Sequence, residues 1–196
     1  MIGRFPIFFM TMVACLPFGC ADHRPGPTEP LTDRSRETEE LLLSAERGTA
    51  EDQYNLGTRY ERGIGVPQSY PEAARWYRLA AMHDYPDALY KLCEMSERGQ
   101  GLPQNYQEAL RWCGLAADHG HGRAMFMLGR LYHTAHGVPL DVVRAHMWYN
   151  LATANGYDEG KRWRDRLADE MTPSQIAEAQ KLAREWSVRM GSPLRS

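Results

Sequence analysis

Apolar and small residues return along this chain with two nested periods. The short period is helical: Leu56, Gly57 and Tyr60 fall at spacings that share one helical face, as do Ala73, Trp76, Tyr77 and Ala80. The long period is 36 residues. It relates Trp76, Trp112 and Trp148, then Leu56, Leu92 and Leu128, then Gly65, Gly101 and Gly137, then Pro67, Pro103 and Pro139. The columns Ala73/Ala109/Ala145, Leu79/Leu115/Leu151 and Ala80/Ala116/Ala152 keep the same register. Seven columns without an insertion define three tandem units over residues 52–157. Each unit predicts two helices joined by a loop such as Gly63-Ile64-Gly65-Val66-Pro67. Glycine there permits the left-handed conformation that ends a helix, and proline prevents continuation. A helix pair of this size cannot bury its own apolar face, whereas stacked neighbours bury it jointly. The pattern therefore predicts an all-α fold, a right-handed α/α superhelix of the solenoid type.

A solenoid needs closed ends, and the pattern supplies them. Residues 39–51 are read as an N-terminal capping helix, because Leu43 and Ala45 stand one period before Leu79 and Ala81. Residues 158–190 are read as C-terminal capping helices. Trp163 and Leu167 share a face, and Ile176, Ala179, Ala183 and Trp186 form a stripe. Thr172-Pro173-Ser174-Gln175 reads as a helix start, with threonine as cap, proline at the first helical position and glutamine closing a capping box. Residues 21–38, polar with three prolines, are expected to be a disordered linker. Residues 1–20 read as a signal peptide: Arg4, then an apolar run from Phe5 to Phe18, shorter than the roughly 20 residues of a membrane span.

The unit LG-x-x-Y-x-x-G-x-G-V-P followed by A-x-x-W-Y-x-x-A-A resembles the Sel1-like repeat, a relative of the tetratricopeptide repeat. Departures from it are Asp52 for alanine, Cys93 for glycine, Ser96 and Cys113 for tyrosine, and Ala135 for a loop glycine. The N-terminus is similar to a bacterial lipoprotein signal. Cys20, after Gly19 and before a polar stretch, is the expected lipidation site; Cys15, after Met12-Val13-Ala14, and export without lipid stay open. Together these resemblances imply a protein–protein interaction adaptor of the bacterial cell envelope. It would be periplasmic or anchored to the outer membrane and would bind a peptide or protein on its concave face. A secreted effector is the alternative reading, as is a cell-wall or small-ligand binding protein with weak hydrolytic activity.

Charge and candidate chemistry narrow the picture little. The net charge of -2 comes from interspersed residues, which leaves no basic footprint for nucleic acid or anionic lipid. The first helices carry two columns that vary between units, Asn55/Lys91/Met127 and Arg59/Met95/Leu131, and these are the candidate partner-binding residues; for Met127 and Leu131, packing under the C-terminal helices is the alternative. The cysteines of the repeats give a sharper expectation. Cys93 and Cys113 occupy the columns that hold Gly57 with Tyr77 and Gly129 with Tyr149. One small–large pair has become two medium residues together, and the two positions are nearly symmetric about the turn at Leu102-Pro103. A Cys93–Cys113 disulfide is expected, consistent with export; two buried free thiols are the alternative. His119, His121, His133 and His136 invite a metal, but lie at opposite ends of one helix and do not predict convergence. The recurring tryptophans read as core. No catalytic constellation or cofactor motif is present, so the expectation is a non-enzyme without cofactor or metal, monomeric in solution.

Overall fold

The structure, a computed structural model, describes residues 33–191. The signal peptide, Cys15, Cys20 and residues 21–32 of the linker lie outside the described residues. Within them the chain is helical throughout: α1 (Asp33–Glu46), α2 (Ala50–Arg62), α3 (Tyr70–Ala81), α4 (Pro86–Arg98), α5 (Tyr106–Asp118), α6 (Gly122–His133), α7 (Val142–Ala154), α8 (Glu159–Ala168) and α9 (Pro173–Arg189). Helices adjacent in sequence pack as antiparallel neighbours from α1 to α8, and α9 returns onto α7. The repeats thus stack as a right-handed superhelix, with α2, α4 and α6 as first helices and α3, α5 and α7 as second helices.

The repeated residues explain the repeated geometry. Each second helix starts at a side-chain cap: Ser69 accepts from the Glu72 N–H, Asn105 from Gln107 and Glu108, and Asp141 from Arg144. In each unit the last residue stacks back on the first helix. Tyr85 meets Tyr54 at 5.3 Å, His121 meets Tyr90 at 4.7 Å and Tyr157 meets Phe126 at 5.1 Å between ring centres. One continuous core runs from Ala73 to Trp186, and a smaller one under α1 joins Ala45, Leu56 and Trp76.

The ends differ from expectation in extent. The N-terminal cap begins at Asp33, so residues 33–38 are helical rather than part of the linker. Thr38 is buried and Glu37 pairs with Arg59, contacts that hold this extra turn on α2. At the other end Thr172 and Gln175 form the reciprocal capping box that starts α9. Trp186 of α9 lies edge-on against Trp148 of α7 at 5.6 Å.

Cys93 and Cys113 are joined in a disulfide, with Cα atoms 5.3 Å apart and both side chains fully buried. The flanking units show why these columns change together. A methyl group on Gly57 would stand 2.7 Å from Cε1 of Tyr77, and one on Gly129 would stand 2.6 Å from Cδ1 of Tyr149. Tyrosine in one column requires glycine in the other, because the ring lies flat on the helix backbone. In the middle unit the sulfur bridge fills that space instead.

The loop departure at Ala135 also has a structural consequence. Gly63 and Gly99 end α2 and α4 at φ of 68° and 70°, and Ala135, at the same register, adopts φ 56°. A Cβ in this left-handed region costs roughly 1–2 kcal/mol, partly offset by glycine's greater unfolded-state entropy. Ala135→Gly is therefore expected to stabilise the protein by about 0.5–1 kcal/mol. Chemical denaturation would show a raised midpoint with an unchanged slope.

Candidate functional site

The two variable columns of the first helices do not form one exposed surface. Asn55 is exposed, and Arg59 and Lys91 are about one-fifth exposed. Met95 and Leu131 are buried, at 3% and 1% exposure, which corrects their reading as surface binding residues; Met127 is buried as well, but borders the groove described below. The cause is how much of each first helix the stack covers. Arg59 reaches Thr38 and Glu37 of α1, so its column faces the preceding second helix. In units two and three that neighbour is α3 or α5, and the column becomes Met95 and Leu131 in the continuous core.

The open stripe lies one residue towards the N-terminus of these columns. Tyr90, Glu94 and Arg98 of α4, Arg123, Phe126, Met127 and Arg130 of α6, and Tyr157, Glu159 and Trp163 at α8 line a groove of about 470 Å³. Four aromatic rings form part of its wall and Met127 contributes to its floor. Trp163 stands 6.5 Å from Phe126 and 6.2 Å from Tyr149 between ring centres. Tyr157 donates to Glu159 at 2.8 Å. Burial, followed by the Glu94 carboxylate, pushes the Tyr90 phenol above its ordinary range, so it stays protonated as a donor.

A ladder of charges runs across the first helices beside this groove. Lys91 Nζ lies 3.0 Å from Glu61 of α2 and 3.5 Å from Glu94. Arg98 follows, 3.4 Å from Glu94 and 3.8 Å from Glu97, and Glu97 meets Arg130 of α6 at 3.0 Å. Each exposed pair contributes little alone, but the ladder fixes the orientation of Arg98 and Arg130 along the groove. Arg123 is exposed and has no ion pair among the described residues.

The histidines take local structural parts. His121 caps α6 by accepting from Ala124 N–H and lies 3.3 Å from Asp87; burial holds its pKa below the ordinary value despite that carboxylate. His133 meets the Tyr149 hydroxyl at 3.3 Å, and His136 stacks on Tyr106 at 4.6 Å. No group of three or more potential metal ligands occurs among the described residues. Trp76 is buried, and Trp112 and Trp148 are half-buried against the core.

The sequence reading passed over Arg98, Arg123, Arg130 and Trp163. A signal for Arg130 was available: the column Thr58/Glu94/Arg130 varies as freely as the two columns named above, one residue away.

The Sel1 repeat profile matches residues 50–85, 86–121 and 122–157. Among solved structures, the chain is similar to a protective antigen present in uropathogenic Escherichia coli strains that displays an SLR fold. Identity is 29% and the TM-score 0.75, over 81% of this chain and 34% of that one. It is also similar to a Sel1 repeat protein from Oxalobacter formigenes, at 31% identity and a TM-score of 0.64, over 75% of this chain and 64% of that one. The chain thus spans about a third of the first protein and just under two thirds of the second. No curated protein matches it significantly.

Proposed function

Because the chain belongs to the Sel1 repeat family, whose fold commonly mediates protein interactions, we propose that it is a protein-binding adaptor of the bacterial cell envelope. The groove across α4, α6 and α8 would receive the partner. The observation that carries this reading is the combination of four aromatic rings with Arg98, Arg123 and Arg130 in one groove on the first-helix face. Such a surface suits an extended segment with one or two apolar anchors and acidic residues between them. The disulfide supports an oxidising compartment, and the lipoprotein-type signal ending at Cys20 would place the protein at a membrane surface. Asn55 and Lys91 would lie along the same face, with Arg59 beside α1.

Arg98 and Arg123 are both exposed, and Arg98 pairs with carboxylates of its own helix, so neutralising Arg98 and reversing Arg123 should leave the fold intact. Pull-down from envelope extracts with wild type is expected to enrich a discrete partner. The Arg98→Gln/Arg123→Glu variant should lose it, with affinity reduced about tenfold or more and a thermal midpoint within about 2 °C of wild type. Equal capture by both proteins would refute the groove as the docking site. Recovery of the protein from culture medium rather than from membranes would favour the secreted-effector reading.

A further inference from the structure

A second cavity, of about 880 Å³, lies away from the groove, between α7, α8 and α9. Its polar wall consists of His146, Asn150, Arg164, Asp165, Gln180 and Arg184. The 36-residue register continues through α8, and it shows how unusual this wall is. His146 stands where earlier units carry Ala74 and Leu110. Arg164 stands in the column of Leu56, Leu92 and Leu128, and Asp165 in that of Gly57, Cys93 and Gly129. Three positions that elsewhere hold apolar, glycine or disulfide-bonded residues have become histidine, arginine and aspartate, and all three line one cavity.

The wall is organised before anything binds. Arg164 donates from Nε and Nη2 to Asp165 at 2.9 and 2.6 Å, and from Nη1 to Asn150 at 3.1 Å. Its charge is therefore balanced and its guanidinium held in place. Arg184 is exposed and has no ion pair among the described residues, which leaves the cavity one positive charge in excess. His146 is 97% buried, and its Nδ1 finds no hydrogen-bond partner. An orphaned buried donor or acceptor is costly in a helix that could have carried leucine there. Burial and the neighbouring Arg164 hold the imidazole neutral at neutral pH.

We propose that this cavity binds a carboxylate group, with Arg184 supplying the charge and the His146 imidazole, through the ring nitrogen that is not sealed in the core, the directed hydrogen bond. The carboxylate belongs either to a small organic acid or to a peptide C-terminus. The site is separate from the proposed partner groove and stands or falls independently of it. A cleft of this volume has room for a small ligand or a chain terminus.

The test titrates the full chain with three probes, Ac-Ala-Ala-Ala as free acid, the same peptide as C-terminal amide, and succinate. Binding is followed by calorimetry and by the imidazole NMR signals of His146. A carboxylate probe is expected to bind and shift those signals, with the amide at least about tenfold weaker than the free acid. Preference for succinate would identify a small acid as the ligand class, and preference for the peptide a chain terminus. His146→Leu, which restores the residue of Leu110, should match or exceed the wild-type thermal midpoint while binding about tenfold more weakly or worse. Arg184→Gln, at an exposed position, should weaken binding similarly without changing the midpoint. The proposal is overturned if no carboxylate probe moves the His146 signals. It is equally overturned if His146→Leu lowers the midpoint or binds as tightly as wild type.

Discussion

Cys113→Tyr alone is expected to unfold the protein near physiological temperature, whereas Cys93→Gly/Cys113→Tyr should restore a native fold that no longer responds to reductant. The single change removes a link closing a 20-residue separation, worth roughly 3 kcal/mol. It also presses a phenol ring onto the Cys93 side chain in a site with no exposure, a further 1–3 kcal/mol or so of overpacking. The double change reproduces the arrangement on both sides, where Gly57 and Gly129 lie directly under the rings of Tyr77 and Tyr149. Burying the ring regains roughly 1.5–3 kcal/mol, so the double variant should stand within about 2 kcal/mol of wild type. Thermal melts of the two variants, with and without reductant, decide the matter. A double variant no more stable than Cys113→Tyr would mean that the middle unit has diverged beyond these two columns.

Trp186→Ala should lower stability by about 3–5 kcal/mol, the usual cost of emptying a buried tryptophan site. The loss should not spread evenly. Trp186 is 7% exposed and rests on Trp148, and α9 packs mainly on α7. In a stack where each unit touches only its neighbours, uncovering the last unit frays that end first. Amide exchange should accelerate through α7, α8 and α9 while α2 to α5 keep most of their protection. Uniform acceleration would show instead that the solenoid unfolds as a single cooperative block.

Those two expectations draw on different shares of what the sequence disclosed. The covariation of Gly57/Tyr77 with Cys93/Cys113 was legible because it is a contact between fixed columns of a repeat, and a repeat provides its own controls. The helical class, the register and the capping box at Thr172 were legible for the same reason, each being local or periodic. The faces of the first helices were not. Met95 and Leu131 vary between units as surface residues do, yet variation also marks a column whose covering helix changes. Arg59 meets Glu37 and Thr38 at the end of the stack, where its counterparts meet core. Separating the two cases needs the angle between neighbouring helices, which spacing along one helix does not contain. The polar cavity at the C-terminal end was hidden by a boundary. Once residues 158 onward are treated as a cap, Arg164 and Asp165 are no longer aligned with leucine and glycine, and their oddity disappears.

The position of the disulfide has a mechanical consequence. A protein pulled by its two ends, as one tethered at a membrane and gripped by a partner would be, extends helix pair by helix pair. The stretch from Cys93 to Cys113 cannot follow. Stretched out, 20 residues would add roughly 70 Å of contour, but the bridge holds their Cα atoms 5.3 Å apart. Single-molecule extension under oxidising conditions should therefore fall short of the reduced protein's length by that difference. The middle unit would act as a stop that leaves helices α4 and α5 joined when the units on either side have been drawn out.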